Sequence, residues 1–142
     1  MNKTFSLKLA LITLLVAIAL PTWADLLPTT NPGPHAAMVT GALGEPGQDI
    51  YPVDFVQIDD TNIFPREVMW LEPGKYELRV RPFISRPRGL QSPRRRIQEA
   101  DDLNRIEVVL EAGKVYHIGA HYHDKNLYEP YTLVLYRVEE NK

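Results

Sequence analysis

The chain has 142 residues, 16 lysines and arginines against 18 acidic residues, four histidines and no cysteine. Without cysteine, thiol catalysis, disulfide exchange and thiolate metal sites are excluded, and the fold must rest on its hydrophobic core. A formal net charge of −2 makes no case for a nucleic-acid partner.

Lys3 and Lys8 precede an apolar run from Leu9 to Leu20, and Thr22-Trp23-Ala24 closes it with small residues at the two positions a signal peptidase reads. Residues 1–24 are therefore expected to be a secretory signal peptide, of a kind that suits a bacterial periplasm or secretion. A membrane-spanning helix needs about 20 apolar residues, and Pro21 stops this run short. No membrane span is expected after cleavage. Losing Lys3 and Lys8 leaves 14 of the 16 basic residues against all 18 acidic ones, a net charge of −4.

Residues 25–48 carry Pro28, Pro32, Pro34 and Pro46 with Gly33, Gly41, Gly44 and Gly47, a mixture that cannot sustain a helix. An extended N-terminal arm is expected, with one short edge strand over 37–43. A β domain follows over 49–142. Its first strand runs from Ile50 to Asp59, where Tyr51, Val53, Phe55, Val56 and Ile58 are β-formers. The apolar parity changes between Phe55 and Val56, which signals a bulge or a strand buried on both faces. Asp59-Asp60-Thr61-Asn62 is turn chemistry. Val68–Leu71 is expected to pair with Lys75–Ile84 through a Pro73-Gly74 turn. In the second of these strands Tyr76, Leu78 and Val80 alternate with Lys75, Glu77, Arg79 and Arg81, as in a sheet with one solvated face.

Residues 85–102 break the pattern. Pro87, Gly89 and Pro93 exclude regular structure at the start, Arg86, Arg88, Arg94, Arg95 and Arg96 crowd charge there, and Ile97–Leu103 has the spacing of one or two helical turns. A second hairpin is expected from Arg105–Leu110 and Lys114–His123. Its turn, Leu110-Glu111-Ala112-Gly113-Lys114, repeats Leu71-Glu72-Pro73-Gly74-Lys75 at an interval of 39 residues. After a turn through Asp124-Lys125-Asn126, Tyr131–Val138 is apolar on both parities, as expected of a central strand. The fold class expected is all-β, a small antiparallel β-sandwich of six or seven strands.

Val56–Val80 resembles the short β-motif repeats called PEGA domains: the pair Ile58-Asp59, then Pro65, a hydrophobic strand, Pro73-Gly74, and alternating Tyr76, Leu78 and Val80. Leu110-x-Ala112-Gly113-x-x-Tyr116 is similar to secreted bacterial domains that pair a Pro-Gly hairpin with an Ala-Gly-x-x-Tyr hairpin. The chain departs from the PEGA pattern at Asp60, where those repeats usually carry glycine, and lacks the four letters that name the motif. The resemblance implies a β-rich, non-catalytic module of the cell envelope, and supplies no catalytic residues.

Three histidines, His117, His121 and His123, fall on one strand with the same parity, opposite Tyr116, Ile118 and Tyr122. With a rise of about 3.3 Å per residue, His121 and His123 lie roughly 6.6 Å apart, within reach of one zinc or copper ion, whereas His117 is roughly 13 Å from His121. Gly119 between them permits a bend or a close approach to the backbone. Asp124 adds a carboxylate at the strand end. The alternative is a polar strand face that is rich in histidine.

The five arginines of residues 86–96 form a local positive field suited to an anionic partner: a lipopolysaccharide phosphate, a peptidoglycan carboxylate or an acidic protein face. Against this stands a solvated loop balanced by Glu99, Asp101 and Asp102. Asp59-Asp60 and Asp101-Asp102 lack the spaced ligand loop of a calcium site and read as turns. No Gly-x-Ser-x-Gly elbow and no phosphate-cradling glycine loop occurs. Trp70 and the tyrosines 116, 122, 128, 131 and 136 read as core or cross-strand partners before sugar-stacking residues. The expectation is a non-enzymatic secreted or periplasmic binding module of the cell envelope, without cofactor. The alternative is a zinc- or copper-binding protein using the histidine strand.

Overall fold

The computed structural model describes residues 27–84, 101–123 and 130–142. The leader expected at residues 1–24, the arginines at 86–96, Ser85, Ser92, Asp124 and Tyr128 lie outside the described residues. Nine strands are described: β1 Ala37–Thr40, β2 Ile50–Tyr51, β3 Val53–Ile58, β4 Thr61–Arg66, β5 Val68–Leu71, β6 Gly74–Pro82, β7 Arg105–Leu110, β8 Lys114–Tyr122 and β9 Tyr131–Glu140. Two 3-10 turns, Pro46–Gln48 and Asp101–Asn104, precede β2 and β7. The fold is all-β, with a five-stranded and a four-stranded sheet in a sandwich-like arrangement. The strand count exceeds the six or seven expected, because β2 and β4 are separate elements.

The four-stranded sheet runs β4-β3-β6-β7, antiparallel throughout. Alternation in β6 is as the sequence predicts: Tyr76, Leu78 and Val80 are buried, while the residues between them are not. The parity change in β3 is a bulge, with the register shifting between Phe55 and Gln57 against both neighbours. The turn to β4 is confined to Asp59-Asp60, since Ile58 already pairs with Thr61. Asp59 takes a left-handed φ of 49°, which its short side chain tolerates. It ties the turn to β6 from both ends: its amide donates to the Glu77 carbonyl at 2.7 Å, and its Oδ1 accepts from the Glu77 amide at 3.0 Å.

In the five-stranded sheet β8 is the hub. β9 pairs along one side of it, and the other side is shared by β1, parallel beside Val115–His117, and β2, antiparallel beside Ala120–His121. β5 then pairs antiparallel with β1. The N-terminal arm is thus part of the sheet, and β1 is an inner strand, not the edge strand expected. Its small residues explain this: Ala37 and Val39 are fully buried, and a Cβ on Gly41 would lie 2.3 Å from the Val53 carbonyl oxygen. Upstream, the arm covers the far side of β5, with the Thr30 amide donating to Trp70 and the Glu72 amide donating to Pro28, each at 2.9 Å.

The two copies of the repeated turn are not hairpins. β5 lies in one sheet and β6 in the other, and the same holds for β8 and β7, so each turn carries the chain across the sandwich. The crossings sit side by side, because Gly74 pairs with Leu110. Proline at 73 has no amide for a ladder. Gly113 holds a φ of 76°, a left-handed conformation that suits glycine. Each corner is clamped by the next buried tyrosine. The Tyr76 hydroxyl donates to the Glu72 carbonyl, and the Tyr116 hydroxyl accepts from the Glu111 amide, both at 2.7 Å. Between the sheets, Phe55, Ile58, Leu78 and Val80 meet Val39, Met69, Leu71 and Ile118 in one core.

β9 is also placed differently from expectation. Among the described strands it pairs only with β8 and forms a sheet edge. Both of its parities are apolar for separate reasons. Tyr131 and Leu133 pack on the core, whereas Val134 and Tyr136 line a hollow on the outer face.

Candidate functional site

The outer face of the five-stranded sheet carries His117 and His121 on β8 with His123 just past its end, and the structure divides them. His117 is 5% exposed, its Nε2 lies 2.9 Å from Glu139 Oε2 on β9, and its ring leans on Tyr136 at 5.9 Å between centroids. Its Nδ1 is buried and has no hydrogen-bond partner among the described residues. His121 and His123 are the pair that the structure brings together, ring centroids 4.6 Å apart and edge to face at 85°. His123 Nε2 lies 3.0 Å from the Thr132 hydroxyl, which fixes its ring against β9.

Gly119 separates His117 from this pair, and its open side is filled by protein. A Cβ there would lie 2.4 Å from Ile50 Cγ2, 3.1 Å from the Tyr51 carbonyl oxygen and 3.3 Å from Tyr136 Cε1. Ile50 and Tyr136 therefore occupy the approach that the sequence leaves open at this glycine. Beside them a shallow hollow of about 290 Å³ is lined by Gln48, Ile50, His121, Val134 and Tyr136. Burial raises the Tyr136 phenol above its ordinary value, while the Arg137 guanidinium and the Gly44 backbone pull the other way. The phenol stays protonated at neutral pH, and its oxygen is buried, so the ring lines the hollow and the hydroxyl does not. Among the described residues no group of three or more histidine and carboxylate side chains is placed to hold a metal ion. The His121–His123 pair would bind one as two imidazoles, with its remaining positions filled from outside.

The outer face of the four-stranded sheet is a ladder of cross-strand pairs. Arg81 Nη2 donates to Asp54 Oδ2 at 3.0 Å, Arg105 Nη1 to Glu77 Oε1 at 2.9 Å, Arg79 Nη1 to Gln57 Oε1 at 3.4 Å, and Lys75 lies 3.6 Å from Glu107. Arg81, Arg105 and Lys75 are matched by carboxylates, which offsets most of the positive charge of this face, while Arg79 meets the neutral Gln57. The segment bearing Arg86, Arg88, Arg94, Arg95 and Arg96 leaves this sheet after β6 and returns through the 3-10 turn Asp101–Asn104 into β7. β6 and β7 are adjacent, with Arg79 opposite Arg105, so both attachment points sit at one end of one sheet.

Sequence reasoning did not single out Glu139, Gln48 or Ile50 for this face. Glu139 reaches His117 only because the β8–β9 register shifts between His117 and Ile118. Gln48 arrives from the 3-10 turn of the arm, and no local pattern assigns that turn to this face. The nearest signal was Gly119, a strand glycine that marks close approach by something. Among the described residues no helix is long and apolar enough to cross a membrane. Compared with known proteins, the chain matches no family model, no curated protein and no solved structure.

Proposed function

We propose that this chain is a non-enzymatic accessory module of the bacterial cell envelope, exported by its leader and working by binding an anionic envelope component through Arg86, Arg88, Arg94, Arg95 and Arg96. The observation that carries this reading is the anchoring of the arginine-bearing segment between two adjacent paired strands. A loop held at both ends by a packed scaffold is where β-sandwiches present binding residues. Since the neighbouring sheet face is largely charge-matched, the positive excess belongs to the segment itself. The PEGA-like pattern of Val56–Val80 agrees with an envelope role. The test is pelleting of the purified protein with isolated envelope fragments. The wild type is expected to pellet and to be released by salt, because exposed charges are screened. R94A/R95A/R96A is expected to stay in solution. Equal pelleting of both proteins contradicts the reading.

A second reading is favoured by one observation, the 4.6 Å separation of the His121 and His123 rings at a half-buried strand end. In it the pair binds zinc or copper, with His117 held apart by Glu139. Native mass spectrometry of untagged protein with added metal tests it. A one-ion mass increase lost in H121A/H123A and kept in H117A supports the metal reading, and no increase removes it.

A further inference from the structure

The far side of β9 is the longest strand edge that no described strand covers. Near its start the 3-10 turn Asp101–Asn104 packs against it, with the Tyr131 hydroxyl donating to Asn104 Oδ1. From Val134 to Glu140 the one described strand paired with it is β8. Leu135 and Val138 on that stretch are 41% and 47% exposed, although they pair with the buried Ile118 and Tyr116 of β8. Such an edge presents backbone donors and acceptors together with apolar surface.

We propose that this edge pairs antiparallel with the same edge of a second copy, on a two-fold axis at Val138, so that the two five-stranded sheets become one continuous sheet. Two features of β9 choose this register. The first is the direction of its backbone. The Asn141 amide donates at 2.8 Å to the carbonyl of Gly113, the residue that leads into β8. Antiparallel residues alternate between pointing at one neighbour and at the other. Glu139 and Arg137 therefore point their backbone groups at β8, while Val138 and Glu140 point theirs at the free side. A two-fold axis at Val138 lets each Val138 amide donate to the other copy's Val138 carbonyl.

The second feature is charge. An axis at Arg137 would set two arginines opposite each other, and an axis at Glu139 would set two glutamates opposite, both unfavourable on a sheet. With the axis at Val138, Arg137 faces Glu139 of the second copy, twice over by symmetry, and Val138 meets Val138 on the core side. Arg137 Nε already lies 3.6 Å from Glu139 Oε1 of its own chain, so the two charges share a face and the pairing extends that row. Charges at an edge normally discourage pairing. Here they oppose the neighbouring registers and permit one.

Sedimentation equilibrium of the full chain, expressed with its own leader and purified without a tag, tests the proposal. The wild type is expected at twice the chain mass at high micromolar concentration. R137E and E139R should each halve that mass, and R137E/E139R should restore it. Val138→Pro is a control independent of charge, because it removes an amide that faces the free side and leaves the β8 ladder intact. It should be monomeric with an unchanged circular dichroism spectrum. A monomeric wild type overturns the proposal. So does a dimer in which R137E or Val138→Pro has no effect, or a folded double variant that stays monomeric.

Discussion

Gly119 is where the structure makes its sharpest stability prediction. The outer face of β8 closes there because Ile50 and Tyr136 use the space a side chain would need. In Gly119→Ala the new methyl would sit 2.4 Å from Ile50 Cγ2, well inside contact distance, with the Tyr51 carbonyl oxygen at 3.1 Å and Tyr136 Cε1 at 3.3 Å. Ile50 is buried, with its backbone held in the β2–β8 ladder, so it has little room to move. Overpacking of this kind costs about 1–3 kcal/mol, and the lower entropy of the unfolded alanine chain returns about 0.4–1 kcal/mol. The net expectation is a loss of about 1–2 kcal/mol by urea denaturation with an unchanged m-value. The cause is separable by a double-mutant cycle. In Ile50→Ala the offending methyl is gone, so Gly119→Ala on that background should cost little, with a coupling energy of about 0.5–3 kcal/mol. A neutral or stabilising Gly119→Ala would refute the packing role and reopen the glycine as a place for ligand approach.

Tyr76→Phe and Tyr116→Phe should each lower stability by about 1 kcal/mol in the same assay, since each removes one hydrogen bond that clamps a sheet-crossing corner. No loss in either would mean that the corners hold without their tyrosines. Asp59→Ala should cost about 0.5–1.5 kcal/mol, because it removes the acceptor of the Glu77 amide and a residue suited to left-handed φ, whereas Asp59→Asn should recover most of that. Equal losses in the two variants would contradict the hydrogen-bond origin. Burial raises the phenols of Tyr76, Tyr131 and Tyr136 in the folded chain, with the carboxylates of Glu72 and Asp59 adding to the effect at Tyr76. A raised phenol binds its proton more tightly in the folded state, so its contribution is intact below about pH 10 and is lost as pH rises through the folded values. Urea midpoints should therefore hold up to that pH and then fall, and an unchanged midpoint well above it would refute the burial of these hydroxyls.

Strand identity was legible wherever one parity is apolar. Tyr76, Leu78 and Val80 on β6 and Ile118 and Ala120 on β8 declare their buried face by period alone. The bulge in β3 was legible from the same period failing between Phe55 and Val56. Which strand pairs with which was not. Leu71-Glu72-Pro73-Gly74-Lys75 has the chemistry of a hairpin turn, and the same residues serve a crossing between sheets, because local turn preference does not specify the sheet of the following strand. The prolines and glycines around β1 suggest a loose arm with an edge strand. Ala37 is instead fully buried, and Gly41 just after the strand packs directly against Val53. β9 looked central because Val134 and Tyr136 are apolar, and only the fold reveals the outer hollow that they line. At the candidate site, shared parity placed the three histidines on one face, but the shifted register that delivers Glu139 to His117 has no signature in the sequence.

The most direct test of an exported envelope-binding module is fractionation of cells producing the full chain, with the intact mass of the recovered protein read alongside. The account predicts a chain beginning at Asp25 that sediments with the envelope, and an R94A/R95A/R96A variant of the same processing that moves to the soluble periplasmic fraction. An uncleaved chain in the cytoplasm, or a wild type as soluble in the periplasm as the triple variant, would contradict it.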